Sequence, residues 1–210
     1  MYKLKYFTEE DNEKVISFMN ENPFAVISGI DKEFPVATHV PLDIKMAGNQ
    51  LIFTGHMMKN TDHHKAFINN ENVLVIFQGP HTYVSASWYA KPDVASTWNY
   101  ITVHAKGKIK FVDENGTRKI IEDITNKYEQ PSGTAAFDKL PSAYVDRLVK
   151  AIIGFTIEVC AIDNVFKLSQ NHDIETRNNI IQHLETSGNH NSAAIASEMK
   201  ERIAEPKQTL

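Results

Sequence analysis

The hydrophobic period of this chain changes sharply at Asn22-Pro23. Before that point Val15, Phe18 and Met19 recur at helical spacing, behind Thr8 as a candidate N-cap and Asp11 as an acid suited to a first turn. After it, apolar residues recur every second position, as they do in half-buried strands. The runs are Phe24 to Ile30, Pro35 to Lys45 interrupted at Pro41, and Gln50 to His56, with turn signals at Asp31-Lys32 and Gly48-Asn49. This order predicts a meander of antiparallel strands behind one amphipathic helix.

Further along, Thr61 is placed to cap a short helix over 62–70 with Ala66 and Phe67 inward, and Val73 to Phe77 reads as a buried strand. A strand from Tyr100 to Val112 ends in a turn over Asp113-Glu114-Asn115-Gly116, and a helix over 117–129 carries Ile120, Ile121 and Ile124. A second helix over 142–153 is closed by Gly154 as its C-cap. Strands 155–162 and 165–168 are joined by a turn at Asp163-Asn164. The remainder predicts a helical hairpin: Asn171 to Glu185 with Ile174, Ile181 and Leu184, then Ser192 to Glu205 with Ile195, Met199 and Ile203, ended by Pro206. The fold class is therefore mainly β with α (α+β), a small antiparallel barrel over 1–170 with covering helices and a C-terminal helical hairpin over 171–210.

A chain of 210 residues can bury about 70% of the surface its unfolded form exposes and needs no covalent staples. Its one cysteine, Cys160, lies in a strand-like run and is expected to be a buried, inert thiol, so a reducing, cytoplasmic setting is expected. Lys3 and Lys5 precede Glu9, Glu10 and Asp11 without an apolar block, and the longest apolar stretch, Ala151 to Ile162, is interrupted by Glu158. Neither a secretory signal nor a membrane span is expected. A net charge of −4 provides no global basic field to draw the chain onto nucleic-acid phosphates. In the hairpin, Asp173, Glu175, Glu185, Glu198, Glu201 and Glu205 outnumber Arg177, Lys200 and Arg202, which suits a packing or dimer-covering role better than DNA reading.

Two segments could carry chemistry. From Gln78 to His104 the chain holds both tryptophans, and Trp88, Tyr89, Trp98 and Tyr100 alternate with Ser85, Ser87, Thr97 and Asn99. Such a stretch can wall a planar, polar-edged ligand or pair across strands in a barrel core. From Phe53 to Thr61 a strand ends and a helix begins, with Lys59 beside the helix start. That arrangement can hold a phosphate, or it can be a solvated lysine beside an ordinary cap. Histidines are frequent, but His63 and His64 diverge on a helix and no HExxH spacing occurs, so no metal site is expected. His56 and His104 are placed on neighbouring strands. No Walker loop, Rossmann fingerprint or Ser-His-Asp signature is present.

The motifs Gln78-Gly79-Pro80, Tyr83 to Tyr89, Thr97-Trp98-Asn99-Tyr100, Val103-His104, Gly107 and Lys167-Leu168-Ser169-Gln170-Asn171 resemble those of the PaiB-type proteins, FMN-binding negative transcriptional regulators. Met1-Tyr2, Phe7, Thr38 to Leu42 and Gly55-His56-Met57 fit the same pattern. The resemblance implies an FMN-binding split barrel, a homodimer with flavin at the subunit interface, and control of sporulation and extracellular protease genes, with DNA as a possible partner. It implies that Thr54 and Lys59, with Asn60 and Thr61, hold the FMN phosphate. It also implies that Thr38, His39, Trp88, Trp98 and Asn99 line the isoalloxazine or the pocket above it. Ala86 and Ser96 stand where proline is more usual, and His172 where arginine is usual. Two other readings of the same fold are a flavin-dependent oxidoreductase, akin to pyridoxamine-phosphate oxidases or flavin reductases, and a haem protein using His56 or His104. No catalytic residue is identified.

Overall fold

The structure, a computed structural model, describes residues 1–204, so the expected helix end at Glu205 and Pro206 lies outside the described residues. Among the described residues are helices α1 (Asn12–Glu21), α2 (Asp62–Asn69), α3 (Glu114–Tyr128), α4 (Ser142–Ala151), α5 (Ile174–Thr186) and α6 (His190–Ala204) and one seven-stranded sheet. Its strands are β1 (Phe24–Ile30), β2 (Pro35–Pro41), β3 (Asp43–Ala47), β4 (Gln50–Met58), β5 (Asn72–Val84), β6 (Thr97–Phe111) and β7 (Ile152–Lys167). Among the described residues no helix is long and apolar enough to cross a membrane.

The strand order is β2-β1-β5-β6-β7-β4-β3. The first four strands are therefore two hairpins at opposite ends of the order, and the expected meander is corrected. Pro41 is the reason, because it has no N–H to extend the β1–β2 ladder, which ends at the Phe24 to Pro41 pair. Leu42, 2% exposed, then donates its N–H back to the Pro23 carbonyl at 2.9 Å, and the chain leaves to form β3 against β4.

By contact density the chain forms two compact units, 19–77 with 104–162, and 1–18 with 78–103 and the chain from 163 onward. In the first unit, apolar residues on alternate positions of β1, β4, β5 and β7 make the core, including the fully buried Ile27, Phe53, Phe77, Phe155 and Ile157. The Phe53 and Phe77 rings meet edge-on at 5.3 Å. A Cβ at Gly55 on β4 would lie 2.8 Å from the Phe155 ring and 3.2 Å from the Pro41 carbonyl. The end of β2 thus lies against β4, as curling of a sheet toward a barrel requires.

Several local expectations change in this unit. Asp113 caps α3 by accepting the Gly116 N–H at 2.8 Å, so the expected turn is the first turn of the helix. Gly154 is not a helix cap but a strand residue. Its N–H donates to Thr117 Oγ1 at 2.9 Å, its carbonyl accepts from Val112, and a Cβ would meet Ile120 at 2.9 Å and the Thr117 Cα at 3.0 Å. The glycine permits α3 to lie directly on β7. Cys160 is exposed, contrary to expectation, because the β4–β7 pairing ends at Glu158 and the strand runs on beyond it.

In the second unit, Asp11 rather than Thr8 begins α1, accepting the N–H groups of Glu13 and Lys14 at 2.9 and 3.4 Å. Val15 and Phe18 are buried as their spacing predicts. Asp163-Asn164 forms no turn. Asn164 accepts from the Glu9 N–H at 2.8 Å and donates to the Glu9 carbonyl at 3.0 Å, so its amide replaces a backbone partner while β7 continues. The hairpin exists, with Ile180, Ile181 and Leu184 facing Ile195, Ala196 and Met199, whereas Ile174 is 54% exposed. A buried bond of 2.8 Å between Thr82 and Ser192 ties β5 to α6.

Candidate functional site

The turn from β4 into α2 is held by bonds at every residue. Lys59 donates its N–H to the Ala151 carbonyl at 3.0 Å and its Nζ to the Val149 carbonyl at 3.2 Å, so it covers the C-terminal end of α4. A cation there meets the partial negative charge of the last turn. Asn60 has a positive φ of 65° and donates its N–H to His64 Nδ1 at 3.1 Å. Thr61 caps α2, accepting the His64 N–H at 3.3 Å and donating to the Met58 carbonyl at 3.2 Å, with His63 Nε2 at 2.9 Å.

The free N–H groups expected at this helix start are partly taken by the helix itself. Thr61 occupies that of His64, and Asp62 accepts that of His63 at 2.7 Å. The backbone bond from His63 holds the exposed Asp62 carboxyl below its usual range. An ammonium has three protons, and Val149 takes one from Lys59. Neither the Thr54 hydroxyl nor the Asn60 side-chain amide makes a hydrogen bond among the described residues. Thr54 lies five residues before Lys59 on the extended strand β4, so the two donors do not converge, and the Asp62 charge would oppose an anion at the helix start. Thr54 is half-buried on β4, opposite Asp43 on one side and Thr156 on the other.

Thr38 and His39 are consecutive on β2 and project to opposite faces. Thr38 shares the inward face with buried Val40, and His39 is exposed and stacks on Phe24 at 6.1 Å. The structure thus does not present both to one ligand face. It also does not place His56 and His104 on neighbouring strands, since β7 lies between β4 and β6. Among the described residues no group of three or more His, Cys, Asp or Glu could hold a metal.

Trp88, Trp98 and Asn99 belong to the second compact unit. Trp98 is 53% exposed and lies 6.1 Å from His81 and 6.0 Å from Tyr83, both also exposed, so the three rings form an aromatic surface on β5 and β6. The alternation of His81 and Tyr83 along β5 was the available sequence signal for this group. Trp88 instead stacks on His183 of α5 at 4.9 Å and 13°, and Tyr89 meets His172 edge-on at 4.7 Å. Asn99 has no exposed surface. Its amide donates to Ser169 Oγ at 3.0 Å and accepts from it at 3.2 Å, which makes it a core residue that ties β6 to the end of β7. Ala86 and Ser96, where the resemblance leads one to expect proline, are bonded to each other, Ser96 Oγ accepting the Ala86 N–H at 3.0 Å.

A profile of the family described as "Putative FMN-binding domain" matches residues 1–161. "Protease synthase and sporulation protein PAI 2" of Bacillus subtilis is 33% identical over 204 residues, covering 97% of this chain and 98% of that protein. The chain belongs to the PaiB-type FMN-binding family. The "FAD and Heme binding protein" of Mycobacterium smegmatis matches its structure with a TM-score of 0.58 at 13% identity, over 81% of this chain and 78% of that one. The "Flavocytochrome Anf3" of Azotobacter vinelandii matches with a TM-score of 0.57 at 11% identity, over 79% and 72%. At these identities the likeness is one of fold, and the PaiB-type chain has the α+β split-barrel class that its motifs imply.

Proposed function

We propose that this chain binds FMN and holds its phosphate on the turn between β4 and α2. The carrying observation is the Lys59 ammonium at the start of the turn, fixed through one proton to the Val149 carbonyl with two left over. The family supports the choice of FMN among phosphate-bearing ligands. A bound flavin would supply electron-transfer chemistry, and the chain's own contribution is to fix the phosphate. FMN titrated with the purified protein should show saturable quenching of the flavin's own fluorescence. A flat titration of the native chain would rule out the site.

The same reading includes a homodimer and a cytoplasmic regulatory role of the kind named for the Bacillus subtilis relative, in sporulation and protease synthesis. A solution mass of two chains checks the dimer. The net charge of −4 and the acidic hairpin favour regulation without tight DNA contact by this chain alone. Any gel shift should therefore be weak and disappear between about 50 and 200 mM salt, as binding carried by phosphate contacts does. A sequence-specific shift that survives the higher salt would overturn this part of the reading.

A further inference from the structure

We propose that His64 is a positioning residue that holds the phosphate-binding turn in shape and releases it when protonated. The inference rests on the FMN reading above. Asn60 occupies the left-handed region at φ 65°, which asparagine enters as a single residue more readily than most others. Its backbone N–H is bonded to His64 Nδ1 at 3.1 Å, its one bond among the described residues.

An N–H can only donate, so Nδ1 is the unprotonated nitrogen and the neutral ring carries its proton on Nε2. His64 is only 8% exposed, and its Nε2 is buried without a hydrogen-bond partner among the described residues. The Phe111 ring lies 4.9 Å away at 79°, an arrangement that suits a weak N–H to ring contact. A second proton would have to go on Nδ1, directly against the Asn60 N–H. The bond would be lost and two donors would face each other.

The surroundings disfavour that proton. Burial pushes the His64 pKa down from 6.5, and His63 and Lys65 on its own helix and Lys59 on the turn act in the same direction. Phe111 on β6 is uncharged, and no group on β1 or β2, against which α2 packs, adds a charge acting on it. The sign is that of a group depressed in the folded state. The neutral ring stabilises the turn fully above 6.5, and this contribution fades as pH falls through the lower folded value.

The test is FMN and riboflavin titration of the full chain from about pH 8 to pH 5, in the native protein and two variants. FMN's own phosphate takes up a proton near pH 6, so the native and variant profiles must be compared with one another. His64→Asn keeps an acceptor near the Nδ1 position and should bind FMN nearly as the native chain does at neutral pH, with a shallower loss in acid. His64→Phe keeps the ring volume and its packing on Phe111 but has no acceptor, and should bind FMN about tenfold more weakly throughout. The reverse order, with Phe near native and Asn weakened, would show that the ring only fills space. Identical native and Asn profiles would also overturn the proposal. If riboflavin binds the native chain as tightly as FMN, the phosphate site itself is wrong, and that failure is read separately. In the native protein the Asn60 amide resonance should move with a midpoint below 6.5, and an amide that does not titrate would sink the switch whichever variants fold.

Discussion

Lys59→Ala is expected to weaken FMN binding by at least about tenfold, with riboflavin affinity changed far less. Charge-assisted hydrogen bonds contribute about 1.5–3 kcal/mol each, and about 1.4 kcal/mol is a decade in affinity, so losing one such bond suffices. The substitution also removes the Nζ bond to Val149 at the end of α4, while the backbone bond from the Lys59 N–H to Ala151 remains. Some stability should therefore be lost along with the affinity, on the order of 1 kcal/mol. Lys59→Met separates the two effects, since it keeps the apolar stem and loses the charge. If both variants bind FMN like the native chain, the phosphate does not sit on this turn. Retained affinity in Lys59→Met alone would mean that packing of the stem, and not charge, is what the turn requires.

Phe53→Ala should destabilise the chain by about 3–5 kcal/mol, a large share of the stability of an ordinary domain. Phe53 has no exposed surface, pairs in register with Ile44 on β3 and Ile157 on β7, and meets Phe77 of β5 edge-on at 5.3 Å. Its removal leaves a cavity beside β3, β5 and β7, strands whose backbone hydrogen bonding resists closing inward. Urea denaturation followed by circular dichroism measures the change. A loss below about 1 kcal/mol would mean that the curled core drawn around this ring is wrong.

The parts of the fold that were legible in advance depend on neighbours within a few residues. Val15 and Phe18 at helical spacing, alternate burial along β1 and β4, and Thr61 as the cap of α2 all follow from local periods and local bonds. The hairpin of α5 and α6 was legible for the same reason, although exposed Ile174 shows that an apolar residue in a first turn need not join the face. The strand end, the lysine and the capping threonine of the turn proposed to hold phosphate lie within four residues, Met58 to Thr61, and so were also local. The turn's occupied N–H groups were not, since Asp62 and Thr61 could equally have faced water.

The misread residues are those whose partners lie far along the chain. Gly154 has the composition of a helix cap, yet its bond goes to Thr117, 37 positions away. Asn164 looks like a turn residue, yet it completes a pairing with Glu9, 155 positions away. Asn99 sits among candidate ligand groups, and only its bonds to Ser169, 70 positions away, show it to be internal. Periodicity, capping and turn chemistry act over one or two turns of chain, so the sequence by itself determined where helices and strands begin, which faces are apolar, and the family motifs. Which strands are neighbours, which polar groups are satisfied inside, and which aromatic rings stay exposed depend on register between distant segments. Those matters only the tertiary structure decided, because each requires two surfaces that no local rule brings together.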